Sequence, residues 1–184
     1  MATGAQKIVS IVLFLGFIFA IIALAVPHWA FYTIGPVSGR VGLWTRCESN
    51  GGFTQCADID DDIDVYCVNY NGLTGNNLDI DKCKGGLNAA RAFSVLGFIF
   101  SFFALLGAAG AFFANKGGPT IPVILSLAFG ICELIAFAIY VGTFTTGSSN
   151  AKYGAGVAFS ILAWLFGWVA AGLGLKTGAA PATG

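Results

Sequence analysis

The sequence predicts a mainly α membrane protein, a bundle of four transmembrane helices with a small antiparallel β-sheet at one end. Three observations carry this expectation. Hydrophobic residues make up 57% of the 184 residues and charged ones only 10%, a balance far from that of water-soluble domains. Four apolar runs, at 8–26, 92–114, 121–144 and 153–175, each reach the roughly 18 residues needed to cross a hydrocarbon core. Between the first two lies a polar stretch, 27–88, with short β-prone pieces and four of the five cysteines.

The element map follows from these runs. Spans are expected at 8–26, 89–114, 120–144 and 153–175, joined by a long first loop (27–88), a tight turn (115–119) and a short second loop (145–152), with a tail at 176–184. The first run is as long as a full span, and Pro27-His28-Trp29 sets an aromatic anchor where a helix meets the headgroups, so it is expected to be retained rather than cleaved as a signal peptide. Asn115-Lys116-Gly117-Gly118-Pro119 breaks the chain after the second span, and 145–150 is a second turn rich in Thr, Ser and Gly. Short connections make neighbouring spans antiparallel, which puts both termini on one side. Small residues at four-residue spacing, such as Gly16 with Ala20 and Gly97 with Ser101, fit close packing between helices within the bundle.

The first loop is the chemically distinctive region. It carries eight of the nine acids against Arg40, Arg46, Lys82 and Lys84, a net charge of −4. A nucleic-acid footprint needs a basic stripe, and the sequence has none. Cys47, Cys56, Cys67 and Cys83 all lie in this loop, while Cys132 sits in an apolar run. An even set of cysteines in one polar loop points to disulfides and an oxidising, non-cytosolic side. A zinc site is the rival reading, but the spacings lack a Cys-x-x-Cys knuckle. The β-prone pieces are 29–34, 40–47 and 53–57, the last two separated by the hairpin turn signal Asn50-Gly51-Gly52. Basic residues do not fix the orientation. Lys7, Lys116 and Lys176 mark one side and Arg40, Lys82, Lys84, Arg91 and Lys152 the other, so the cysteines decide it and place the loop outside the cytosol.

Pro27-x-Trp29, Gly42-Leu43-Trp44-x-x-Cys47, Cys56 and Leu87-Asn88-Ala89-Ala90-Arg91-Ala92 occur in that order along the chain. This order resembles the claudins, in the wider family that includes the peripheral myelin and epithelial membrane proteins. Ser160-Ile161-Leu162-Ala163-Trp164 is similar to the epithelial membrane branch. The resemblance covers all four spans. It implies a left-handed four-helix bundle with an extracellular sheet, in which Trp29 and the run from Gly42 to Trp44 seat the sheet and Arg91 anchors the return to the second span. It also implies a bridge from Cys47 to Cys56, leaving Cys67 and Cys83 to each other. Three features depart from the claudin pattern. The first loop is lengthened around Cys67 and Cys83, the second loop is short, and the chain given ends Pro181-Ala182-Thr183-Gly184 without the tyrosine-valine ending many claudins carry.

Other constellations divide between structural and functional readings. The run Asp58, Asp60, Asp61, Asp62 and Asp64 resembles an EF-hand opening, but Ile63 and Asn69 stand where the loop needs a glycine and an acid. It reads first as a solvated acidic turn, and through the claudin resemblance as the lining of a cation-preferring path. Glu133 lies within an apolar run, where a carboxyl costs several kcal/mol unless it is neutral or bonded. Ser101, at equal depth, and Ser160 are its expected partners. His28 is the only histidine and has no second base or nucleophile beside it, so it reads as an interfacial anchor. No cofactor box, phosphate loop or catalytic pairing is present in the sequence, and an enzyme is not expected.

The functional expectation is a structural membrane protein of claudin-like type, assembling laterally or between cells through its disulfide-bonded sheet. An auxiliary subunit of a channel or larger membrane complex, as in the gamma relatives of calcium channels, is the alternative. Expected partners are membrane lipid and either copies of this chain or a larger membrane protein.

Overall fold

The computed structural model describes residues 4–59, 63–64, 67, 79–114, 120–144 and 151–178. The turns expected at 115–119 and 145–150, the tail from 179, and Asp60, Asp61 and Asp62 lie outside the described residues. The elements run α1 (Gly4–Ala25), β1 (Ala30–Ile34), β2 (Val37–Val41), β3 (Thr45–Asn50), β4 (Phe53–Asp58), α2 (Ile80–Ala114), α3 (Thr120–Phe144), β5 (Ala151–Tyr153) and α4 (Ala155–Gly178).

Among the described residues, these four helices are long and apolar enough to cross a membrane. An α-helix pairs every interior backbone group within itself, which is why apolar stretches in lipid adopt it. Large apolar side chains stand exposed along each helix, among them Ile11 and Phe14 on α1, Phe103 and Leu106 on α2, Ile121 and Ile124 on α3, and Val169 and Leu175 on α4. In water such a surface would drive aggregation; facing lipid it is at rest. The protein is a multi-pass membrane protein.

Helix ends follow local chemistry. α1 stops two residues before Pro27, whose ring disfavours helical geometry in the residue ahead of it. α2 starts at Ile80, well before its apolar run, because Asp79 caps it. The Asp79 Oδ1 accepts from the Asp81 N–H at 3.0 Å, satisfying a donor that the first turn leaves unpaired. The first turns of α2 are therefore polar helix, and the apolar run begins near Ala92.

By its contacts the chain divides into two compact units. The first comprises Met1–Ile21, Ser94–Leu134 and Ser160–Gly184. Its core is helical, built on Leu13, Ala104 and Ala170, and on Ala20, Phe129 and Ala163. Gly16 is where Phe129 and Phe166 approach α1, and the rings of Phe17 and Phe98 stack at 5.3 Å.

The second unit comprises Ile22–Phe93 and Ile135–Phe159 and contains the sheet. Five antiparallel strands lie in the order β4-β3-β2-β1-β5. Two tight hairpins set the register. Gly35-Pro36 joins β1 to β2, with Ile34 opposite Val37, and Gly51-Gly52 joins β3 to β4, with Asn50 opposite Phe53. Gly51 and Gly52 have φ of 58° and 91°, the positive pair that a two-residue hairpin with the right twist requires.

The stretch 40–47, expected as one β-prone piece, is divided between β2 and β3 by a turn over Gly42, Leu43 and Trp44. The Gly42 N–H donates to the Thr45 carbonyl at 2.9 Å and folds the chain back on itself. β5 comes from the second loop and pairs with β1, with Lys152 opposite Phe31. That loop, expected only as a turn, thus supplies the sheet's second edge.

Candidate functional site

The seat of the sheet is built around Trp29, which is fully buried. Its indole Nε1 donates to the Ala23 carbonyl at 2.6 Å, taking up one of the acceptors that the end of α1 leaves without a helical partner. Its ring lies 4.9 Å from that of Tyr140 on α3, and Gly156 at the start of α4 leaves room for its edge. The Trp29 backbone N–H donates to Val41 on β2 at 2.6 Å, and its carbonyl accepts from Gly154 at 2.7 Å. One residue therefore ties α1, β2, α3 and the approach to α4 together.

The turn between β2 and β3 is the second attachment. Gly42 lies against Pro27, where a Cβ would meet the Pro27 Cα at 2.6 Å. Leu43 is fully buried, and its carbonyl accepts from Arg91 Nε at 2.7 Å. The guanidinium also donates to Asn88 Oδ1 at 3.3 Å and lies 4.8 Å over the Trp44 ring. Arg91 is only 6% exposed, so its charge is held by the turn's carbonyl and the indole face together. Trp44 is itself partly exposed and acts as a cover over Arg91.

Two disulfides lie in this unit. Cys47–Cys56 bridges directly opposed residues of β3 and β4, with a Cα–Cα distance of 4.0 Å. Cys67–Cys83 ties the residues before α2 to its first turns, with a Cα–Cα distance of 6.0 Å. Beside it, Lys84 Nζ pairs with Asp64 Oδ1 at 2.6 Å. Of the acidic run, Asp64 is thus bound into the loop's own structure and Asp58 is exposed at the end of β4. Among the described residues no group of His, Cys, Asp and Glu could hold a metal ion.

Strand alternation gives the sheet two chemically different faces. One carries Tyr32 and, around a cavity of about 450 Å³, Arg46, Glu48, Phe53 and Gln55. There the Tyr32 hydroxyl donates to Glu48 Oε1 at 3.3 Å, and burial, with the Glu48 charge second, pushes its pKa up to about 12. Arg46 pairs with Glu48 at 4.0 Å. The opposite face carries Phe31, Ser38, Arg40, the Cys47–Cys56 bridge and Asp58. Strand β4 is an edge and every residue in it is exposed, Phe53 by 81%.

A family model described as the PMP-22/EMP/MP20/Claudin family matches residues 5–179, a span that includes these attachments. The chain belongs to this family. No curated protein matches it. The family is one of structural membrane proteins; in this member Arg91 meets Leu43, Trp29 lies against Ala23 and Tyr140, and the four loop cysteines form two bridges.

Glu133 lies in the helical unit, fully buried. Ser160 Oγ donates to its Oε2 at 3.0 Å. Ser101, expected to share this role, instead donates to the Phe98 carbonyl of its own helix at 2.7 Å. The reason is local, since a helical serine reaches the carbonyl of the preceding turn more readily than a neighbouring helix. Gly97 faces the carboxyl, and a Cβ there would meet Oε1 at 2.8 Å. Oε1 and the hydroxyl of buried Ser94 have no hydrogen-bond partner among the described residues.

Sequence reasoning did not single out Tyr140, whose hydroxyl donates to the Val41 carbonyl at 3.4 Å, and it used Lys152 only for orientation, not as part of a strand. A tyrosine near the end of a span is a readable signal, because such rings favour the interface. Three residues of β5 carry too little pattern to be read.

Proposed function

We propose that this protein is a claudin-like assembly protein, associating laterally or between cells through its disulfide-bonded extracellular sheet. The observation that carries this reading is the edge strand β4. Among the described residues it is unpaired on one side, and it is exposed along all six residues and cross-linked to β3. An open edge recruits another strand or surface unless it is blunted, and this one begins with an exposed Phe53. Behind it the sheet is fixed at Trp29 and Arg91. A rigidly held edge loses little conformational freedom on pairing, which favours association.

Asp58 ends this strand as an exposed acid. In an assembly of such edges, a row of acids would favour cations over anions along the path between cells. Loss of sodium-over-chloride preference in the Asp58→Asn, Asp60→Asn double variant tests that feature.

The assembly reading is tested by expression in contact-forming cells that lack junctional strands. Enrichment at contacts, with intermolecular cross-links from cysteines placed along β4, is the expected result. A uniform surface distribution, with co-purification at fixed stoichiometry with a larger membrane protein, overturns it in favour of the auxiliary-subunit role.

A further inference from the structure

We propose that the sheet face bearing Phe31, Arg40 and Lys152 binds the phosphate of a phospholipid headgroup. Register places these residues in one row, since Lys152 is opposite Phe31 and Phe31 is opposite Arg40. Directly opposed residues share a face, so the two cations flank the ring. With strands about 4.8 Å apart, they stand roughly 10 Å from each other. The next row offers hydroxyls, Thr33 opposite Ser38. A cavity of about 270 Å³ opens between these rows, lined by His28, Phe31, Thr33, Ser38 and Arg40 among others.

Charge accounts for the ligand's sign. Arg46 is paired with Glu48 and Lys84 with Asp64, but among the described residues neither Arg40 nor Lys152 is in an ion pair. Both cations are exposed, and Asp58, the acid described on their face, lies on β4, two strands from Arg40 and two residues along from its row. A guanidinium presents a planar fork of donors that matches a phosphate's oxygens, and an ammonium adds a point charge.

Position accounts for the ligand's source. His28 follows the end of α1 at Ala25, and the Gly156 N–H at the start of α4 donates to the His28 carbonyl at 2.7 Å. Phe31 and Lys152 therefore sit just beyond the ends of two spans. The headgroup layer is only about 5 to 7 Å deep on each side, and phosphates lie within it. Phe31, packed edge-on against His28 at 5.6 Å, places a ring at the level where aromatic side chains concentrate. Two cations against one phosphate favour a headgroup with net negative charge over a zwitterionic one.

The test uses the full chain in mild detergent, read by native mass spectrometry of bound lipid. Phosphatidylglycerol and phosphatidylcholine of the same acyl chains are compared, with glycerol phosphate as the headgroup without chains. Phosphatidylglycerol adducts are expected to exceed phosphatidylcholine adducts, with the preference falling about fivefold for each charge removed in Arg40→Gln and Lys152→Gln. Arg46→Gln, on the other face, keeps the preference. Because His28 is the only histidine, its imidazole resonance gives a second readout, and its titration midpoint moves upward when the lipid's negative charge binds nearby. Equal binding of both lipids, or an equal loss in Arg46→Gln, overturns the proposal. Equal effects of glycerol phosphate overturn the lipid source, and a dimer dissolved by Arg40→Gln would instead assign the face to a second copy of the chain.

Discussion

Arg91 shows how much of the fold can hang on one side chain. Its Nε reaches the Leu43 carbonyl and its plane lies over Trp44, two interactions that need a flat, delocalised cation. Lysine keeps the charge but cannot do both at once. Arg91→Lys is therefore expected to lower stability by about 2 kcal/mol, the scale of one charge-assisted bond, measured by unfolding in detergent. Retention of wild-type stability would show that the turn seats itself without the guanidinium. Glu133 behaves differently, because its use of Ser160 asks only for an acceptor. Glu133→Gln retains one and is expected to be folded and assembled like the wild type, whereas Ser160→Ala costs about 0.6 to 1.7 kcal/mol, the range for bonds between membrane helices. His28 carries a pH dependence of known sign. Burial, and then the Arg40 charge, hold its pKa below the ordinary 6.5. Above 6.5 it is neutral in folded and unfolded chains alike. As pH falls, the unfolded chain takes up the proton first, so the stability associated with neutral His28 is lost as pH drops through the folded-state value. In lipid-free detergent its imidazole resonance is expected to titrate below 6.5, and a midpoint above 6.5 would contradict the burial.

At the scale of the element, the turn over Gly42, Leu43 and Trp44 does more than connect β2 to β3. A side chain at Gly42 would collide with Pro27 backbone, which cannot rotate out of the way. Gly42→Ala is expected to lift the turn off the end of α1 and to weaken the Leu43–Arg91 bond with it. Hydrogen exchange should show faster exchange at the amides of position 42 and Ile59, which donate to the Thr45 and Trp44 carbonyls, and unchanged exchange would place the collision elsewhere. This element also marks the limit of what the sequence discloses. Gly-Leu-Trp is legible as a motif, yet 40–47 reads as one β-prone piece because Arg40, Val41, Trp44 and Thr45 all suit strands. The break comes from packing against Pro27 and Arg91, residues 15 and 49 positions from Gly42, and no local pattern records it. The hairpin at Gly51-Gly52 was legible for the opposite reason, since its positive φ angles are a demand on those residues alone. The four spans were legible because length and apolarity suffice for lipid. β5 was not, because its pairing with β1 depends on where the second loop returns. Ser101 was expected beside Glu133 by counting from the span ends, but such counting does not determine which acceptor a helical hydroxyl chooses, and Gly97 is the α2 residue that faces the carboxyl.

For the whole molecule, one end of the sheet is secured and the other is open. Trp29, Leu43 and Arg91 hold β1, β2 and the turn against helix ends, while β4 contacts only β3 within the sheet. Stability and association should therefore separate. A substitution at the secured end lowers both, because an unseated sheet presents no fixed edge. A substitution at the open end lowers association alone, because among the described residues no strand but β3 pairs with it. Phe53 is the residue at which to see this, 81% exposed at the hairpin's exit. Phe53→Glu adds a charge to a loop already at net −4 and sets like charges against each other wherever two such edges approach. The expected outcome is an unfolding midpoint equal to that of the wild type, with at least about a tenfold loss of cross-linked oligomer, a change worth ~1.4 kcal/mol of association free energy. Arg91→Lys supplies the contrast, losing stability and oligomer together. Oligomers that survive Phe53→Glu unchanged, at normal stability, would move the interface from β4 to the lipid-facing helices.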